Sequence, residues 1–159
     1  MRDGERFIIL FRHGIAEDRD GGKPDEEREL TDIGHRRMKE IARGLAELFP
    51  KAELIVSSPL VRARQTAEWL CKAYDLGFEF SDALEPGSDA KQFQELLASV
   101  KSRRAIFVGH EPTLSAFMLA LTGMKGEIEL KKGGCYGIRI DAGGAARLEW
   151  VLPPRAMRV

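Results

Sequence analysis

Hydrophobic positions along this chain follow two patterns. Unbroken apolar runs occur at Phe7-Ile8-Ile9-Leu10-Phe11, at Leu54-Ile55-Val56 and from Ala105 to Val108. Between them, apolar residues recur at helical spacing. One stripe holds Met38, Ile41, Ala42, Leu45 and Leu48, a second Leu60, Ala63, Ala67, Leu70 and Tyr74, a third Phe93, Leu96, Leu97 and Val100. A short continuous run bounded by turn residues predicts a strand covered on both faces; the i, i+3, i+4 pattern predicts an amphipathic helix. Strands are therefore expected over 6–12, 54–56, 78–80 and 105–108. Helices are expected from Thr31 to about Leu48, from Pro59 to about Tyr74, from Asp89 through Val100, and from Pro112 to Leu121. Thr31 is placed to cap the first helix with Asp32 in its first turn, Asp89 to cap the third, and Pro112 to sit in the first turn of the fourth.

The last part of the chain changes character. Segments 128–130, 136–140 and 146–152 read as strands joined by the turns Gly133-Gly134 and Gly143-Gly144. Strand–helix alternation followed by an antiparallel end predicts an α/β fold, a three-layer α/β/α sandwich with a mixed, mostly parallel central sheet. The polar stretch 17–29 is a long loop for so compact a chain, hence either functional or mobile. Leu84 to Ser88 is a Pro/Gly turn.

Composition narrows the class. The 159 residues predict a single domain spanning 1–159, long enough to need no disulfide or metal staple. A formal net charge of zero argues against a general nucleic-acid or membrane-surface binder. The two cysteines, Cys71 and Cys135, are far apart, and Cys71 falls on a helical apolar stripe as a small core residue. The three histidines lack paired ligand spacing, so no metal and no other cofactor is expected. No stretch is apolar enough for a signal or a membrane span, and a cytoplasmic location is the expectation.

The candidate chemistry sits at the strand ends. Arg12-His13-Gly14 closes the first apolar run, Ser57-Ser58-Pro59-Leu60-Val61-Arg62 follows the second, and Val108-Gly109-His110-Glu111-Pro112 follows the fourth strand. Open α/β sheets bind ligands at the carboxyl ends of their strands, so these segments can converge on one pocket holding two arginines and two histidines. Arginine pairs suit phosphoryl oxygens, and a neutral imidazole between cations suits a nucleophile, because like charge disfavours imidazolium. The second ring nitrogen of His13 needs a backbone acceptor to fix its tautomer. Other readings stand beside these. His110 can be a plain helix-entry residue, Ser57 and Ser58 a simple strand-to-helix turn, and loop 17–29 a solvated excursion. Arg64 cannot share a face with Arg62 and reads as a solvated or pairing residue. His35 falls on the charged side of its helix and reads as exposed. Gly21-Gly22-Lys23 lacks P-loop spacing.

At these residues the chain resembles the histidine phosphatase superfamily, also called phosphoglycerate-mutase-like. The matching motifs are Arg12-His13-Gly14, the Ser58-Pro59-Leu60-x-Arg62-Ala63-x-Gln65-Thr66-Ala67 block and Gly109-His110, with Leu30-Thr31 and Gly34 similar to the family's first helix start. The short length and Gly109-His110-Glu111-Pro112 look most like the SixA-type phosphohistidine phosphatases. The resemblance implies His13 as nucleophile, a covalent phosphohistidine intermediate, and Arg12, Arg62 and His110 as catalytic groups of the phosphate pocket. Gly14 and Ser58 join those three as implied substrate-binding positions. The implied substrate is phosphate-bearing, a phosphohistidine protein in the SixA-type case, with a small phosphate ester as one alternative and a silent phosphate-binding or docking module as another. Larger relatives place a glutamate acid between the arginine block and the second histidine. Here Glu85 occupies that interval, equally readable as a turn carboxylate, with Asp18 or Asp89 as substitutes. A phosphohistidine substrate relaxes the need, because imidazole leaves more easily than an alkoxide.

Overall fold

The computed structural model of the chain describes residues 1–158. Its centre is the first apolar run, β1 (Arg6–Arg12), whose residues between the terminal arginines are all buried. The reason for an unbroken apolar sequence is visible in its neighbours. Phe7, Ile9 and Phe11 pack with Met38, Ile41, Leu45, Ala63 and Leu70, whereas Ile8 and Leu10 pack with Phe93, Leu97, Leu114, Phe117 and Met118. The first set lies on α1 (Asp32–Leu48) and α2 (Val61–Tyr74), the second on α3 (Ala90–Ser99) and α4 (Thr113–Thr122). Each face of the strand therefore meets its own helix layer, and the expected three-layer sandwich results.

The remaining strands are β2 (Leu54–Ser57), β3 (Glu79–Phe80), β4 (Arg104–Gly109), β5 (Cys135–Ile140) and β6 (Ala146–Leu152). Their order is β3-β2-β4-β1-β5-β6. The first four are parallel, β5 pairs antiparallel with β1, and β6 pairs antiparallel with β5, the antiparallel end that the sequence predicts. The carboxyl ends of β1, β4 and β2 lie side by side. Arg12 is in register with Gly109. The His13 amide donates to the Gly109 carbonyl (3.1 Å), and the Ser58 amide donates to the Val108 carbonyl (2.9 Å). These bonds carry the sheet one residue past its strands and align the three chemical motifs.

Several details differ from the sequence expectations. Segment 128–130 is not a strand; its Leu130 amide and carbonyl bond to side chains rather than to a neighbouring strand. Leu48 lies outside the core stripe, exposed at the helix end where the chain turns toward Pro50. Helix α2 starts at Val61 and not Pro59, and Pro112 is the N-cap of α4. His35 is half-buried rather than simply exposed, because it accepts a hydrogen bond from Trp69 Nε1 (3.0 Å). The 17–29 loop contains a 3-10 turn at Asp25–Glu27. A short unanticipated helix, α5 (Pro154–Met157), seats the fully buried Met157 against α1. Among the described residues, no helix is long and apolar enough to cross a membrane.

Candidate active site

His13 leaves β1 at the sheet edge, 6% exposed. Its Nδ1 lies 2.7 Å from the Gly14 carbonyl, an acceptor, so Nδ1 carries the proton and Nε2 holds the free lone pair. Gly14 is fixed in turn. Its amide donates to Thr66 Oγ1 (3.0 Å), and that hydroxyl donates to the Arg62 carbonyl (2.8 Å). Thr66 thus locks the turn after His13 to the first turns of α2. A side chain at position 14 would meet Met38 Cγ at 2.8 Å, so the turn packs this closely only as glycine.

His110 follows β4, its ring centroid 5.2 Å from that of His13. Its Nε2 lies 2.8 Å from Ser58 Oγ. Ser58 Oγ also accepts the Leu60 amide (3.2 Å), and its hydroxyl proton has His110 Nε2 as an acceptor within reach. When Ser58 donates to Nε2, the His110 proton sits on Nδ1, a buried nitrogen with no partner among the described residues. Arg62, 2% exposed, donates from Nη1 to the Asp25 carbonyl (2.7 Å) and from Nη2 to Asp25 Oδ2 (3.2 Å), while its Nε is buried and unpartnered. Arg12 donates to the Leu130 carbonyl and has a likewise unpartnered Nε. These three donors belong to residues of one cavity of about 420 Å³ that also holds His13. A larger groove, about 730 Å³, lies at the opposite end of the sheet and contains no histidine.

Burial holds both imidazoles neutral. His110 is pushed down to about 3, first by desolvation and then by Arg62. His13 also lies well below its ordinary value, chiefly through burial and then through its coupling to the neighbouring His110 ring, with the Gly14 carbonyl opposing and Arg62 and Arg12 adding less. The arginines anticipated as the cause are thus secondary to desolvation. Burial raises the Asp25 carboxyl, but hydrogen bonds and charge from Arg28 and Arg62 outweigh it and leave the group below the usual range.

Arg12, His13, Arg62 and His110 come together as expected. Gly14 and Ser58 do not reach the cavity as substrate contacts: Gly14 uses its amide on Thr66, and the fully buried Ser58 orients His110. Glu85 is not among the lining residues, although its neighbour Pro86 is; its backbone serves a turn, its carbonyl accepting from Ser88. Asp18 lines the cavity and Asp89 does not, its carboxylate capping α3 through Gln92. Arg64 pairs with Glu68 (2.6 Å), outside the site. Of the cavity residues not singled out from sequence, three stand out. Asp25 and Arg28 come from loop 17–29, where no periodicity marks them. Glu111 had a signal, standing next to His110. It accepts from the Ser115 and Leu130 amides (2.7 Å each) and from the Ser115 hydroxyl, and so holds the segment whose Leu130 carbonyl receives Arg12.

Comparison with known proteins agrees with this geometry. Residues 8–85 match the profile of the histidine phosphatase superfamily (branch 1). An uncharacterized protein of Picosynechococcus sp. is 38% identical over 149 residues, covering 89% of this chain and 88% of its own. The protein histidine phosphatase SixA, solved with tungstate, superposes with a TM-score of 0.85 at 21% identity, covering 94% of this chain and 97% of that one. Mycobacterial glucosyl-3-phosphoglycerate phosphatase superposes with a TM-score of 0.77 at 18% identity, covering 94% and 99%. With the paired histidines and arginines in one pocket and this profile match, the chain belongs to the histidine phosphatase superfamily.

Proposed function

We propose that the chain is a phosphohydrolase acting through a covalent phosphohistidine at His13, and that its substrate is phosphohistidine on a protein. The observation that carries the reading is the set of three buried donors, Arg12 Nε, Arg62 Nε and His110 Nδ1, on residues lining the cavity of a neutral His13. A buried N–H without a partner costs about 1–3 kcal/mol, and an anion bound there removes that cost. A phosphoryl group supplies one oxygen for each such donor.

In the proposed reaction the His13 Nε2 lone pair attacks phosphorus as the bond to the leaving group breaks. Arg12, Arg62 and the His110 Nδ1–H take up the charge on the equatorial oxygens. Water then cleaves the new P–N bond and frees His13. The cavity carboxylates bear on the leaving group. Asp25 is held ionised by Arg28 and Arg62, and Glu17 is held low by the Glu29 amide and Lys23. Glu111 directs both oxygens to internal donors. A leaving imidazole needs no strong acid, since it accepts a proton near neutral pH. The shared fold with the protein histidine phosphatase SixA supports the same choice. A small phosphate ester is the second reading. Asp18 in the cavity wall favours it, as the one acid named from sequence that lines the cavity and so is a candidate to protonate an alkoxide.

The test compares phosphate release from a phosphohistidine phosphotransfer domain and from a small phosphate ester. Faster release from the protein, unaffected by Asp18→Asn, is the expected result. Faster release from the ester, abolished by Asp18→Asn, would establish the second reading instead.

A further inference from the structure

We infer that a cationic cleft beside the phosphate pocket docks an acidic segment of the protein substrate, one with an apolar side chain set between carboxylates; the inference rests on the phosphoprotein reading above. The cleft is a separate cavity of about 190 Å³. Its floor is apolar: Pro153 and Pro154 at the start of α5 are partly exposed there, backed by the buried Met38 and Ile41 of α1. Its rim is Arg37, Lys131, Lys132, Arg155 and Arg158, all exposed. Among the described residues, no carboxylate lines it.

That segregation is not what the composition alone produces, because acidic and basic residues are equal in number, 25 of each. The groove at the far end of the sheet shows the usual arrangement. There Arg139 pairs with Glu5 (3.2 Å) and Glu149 (2.6 Å), and Arg147 pairs with Glu149 (3.3 Å). On the cleft rim, Arg158 pairs with Glu40 (3.1 Å), and the other four cations form no ion pair with a described residue. Like charges gathered around an apolar floor repel one another, and a ligand bearing carboxylates relieves that repulsion.

The cleft adjoins the phosphate pocket. Lys132 lines both cavities, and Gly14, the residue after the nucleophile, is part of the cleft wall. A chain whose phosphorylated residue enters the phosphate pocket can pass Lys132 and lay the next residues across the rim. The floor takes one apolar side chain, and the flanking carboxylates meet the rim cations Arg37, Lys131 and Arg155. Nucleic acid fits less well, since no aromatic side chain lines the cleft for a base to stack on.

The test is direct binding, measured by fluorescence anisotropy, of a labelled unphosphorylated peptide with one leucine between paired glutamates. Arg37→Glu combined with Arg155→Glu alters surface residues outside the phosphate pocket, so turnover of p-nitrophenyl phosphate reports an intact fold and site. The expected result is peptide binding that weakens about tenfold in the double variant and falls with added salt, while p-nitrophenyl phosphate turnover stays within about twofold. Replacing the peptide's leucine with alanine is expected to weaken binding, and replacing its glutamates with lysine to remove it. His13→Ala protein is expected to bind the peptide like the wild type, which separates docking from the catalytic reading. Equal affinity in the double variant, equal affinity for the lysine peptide, or tighter binding of a single-stranded RNA oligomer of matched charge would overturn the inference.

Discussion

At the scale of residues, each cavity group has a second residue that fixes its state. Gly14 sets the His13 tautomer, Ser58 sets that of His110, and Asp25 holds the Nη atoms of Arg62 while leaving Nε free. The primary groups were legible because their chemistry is unusual at a strand end. An Arg-His pair, a second arginine and a second histidine have little structural reason to close apolar runs. The fixing residues were less legible, because a serine or threonine in a strand-to-helix turn looks the same whether it caps, orients or binds. Asp25 and Arg28 had no signal, being ordinary charges in a charged loop. The Arg62 guanidinium gives the first prediction. Arg62→Ala is expected to weaken vanadate binding at least about tenfold, the worth of a charge-assisted hydrogen bond. Isothermal titration checks it, and unchanged affinity would remove Arg62 from the anion site.

At the scale of elements, periodicity located every helix longer than one turn and each buried strand, because both faces of the sheet are covered and the apolar runs are continuous. The reading of 128–130 as a strand failed for a definite reason. Its alternation is three residues long, and its backbone groups serve Glu111 and Arg12 instead of a ladder. Helix α5 escaped notice because four residues show no period. Its docking is nonetheless close. A Cβ at Gly44 of α1 would lie 1.8 Å from the Met157 carbonyl oxygen. Gly44→Ala should therefore destabilise by about 1–3 kcal/mol through overpacking, although alanine in an exposed helix interior would gain up to about 1 kcal/mol. Urea unfolding decides the sign, and a raised midpoint would show that α5 does not pack on α1 as described.

At the scale of the whole molecule, the sheet order places two neutral histidines in a buried, cation-rich pocket, and that arrangement links stability to pH. Both imidazoles titrate lower in the folded chain than the ordinary value of 6.5, with His110 near 3. Between those limits the unfolded chain binds more protons than the folded one, so folding stability falls as pH falls. The loss reaches about 1.4 kcal/mol per pH unit for each histidine, beginning near pH 6.5. Urea midpoints measured from pH 7 to pH 4 are expected to drop along this slope and to drop less steeply in His110→Asn. Parallel slopes would mean that His110 is not buried in its neutral form. The most direct test of the central claim is rapid acid and alkaline quenching of turnover with a radiolabelled phosphoryl donor. The account predicts a labelled protein whose phosphate is lost in acid and retained in alkali, as expected of a P–N bond, and no label on a folded His13→Ala variant. Phosphate release by that variant, or label that resists acid, would contradict a covalent phosphohistidine at His13.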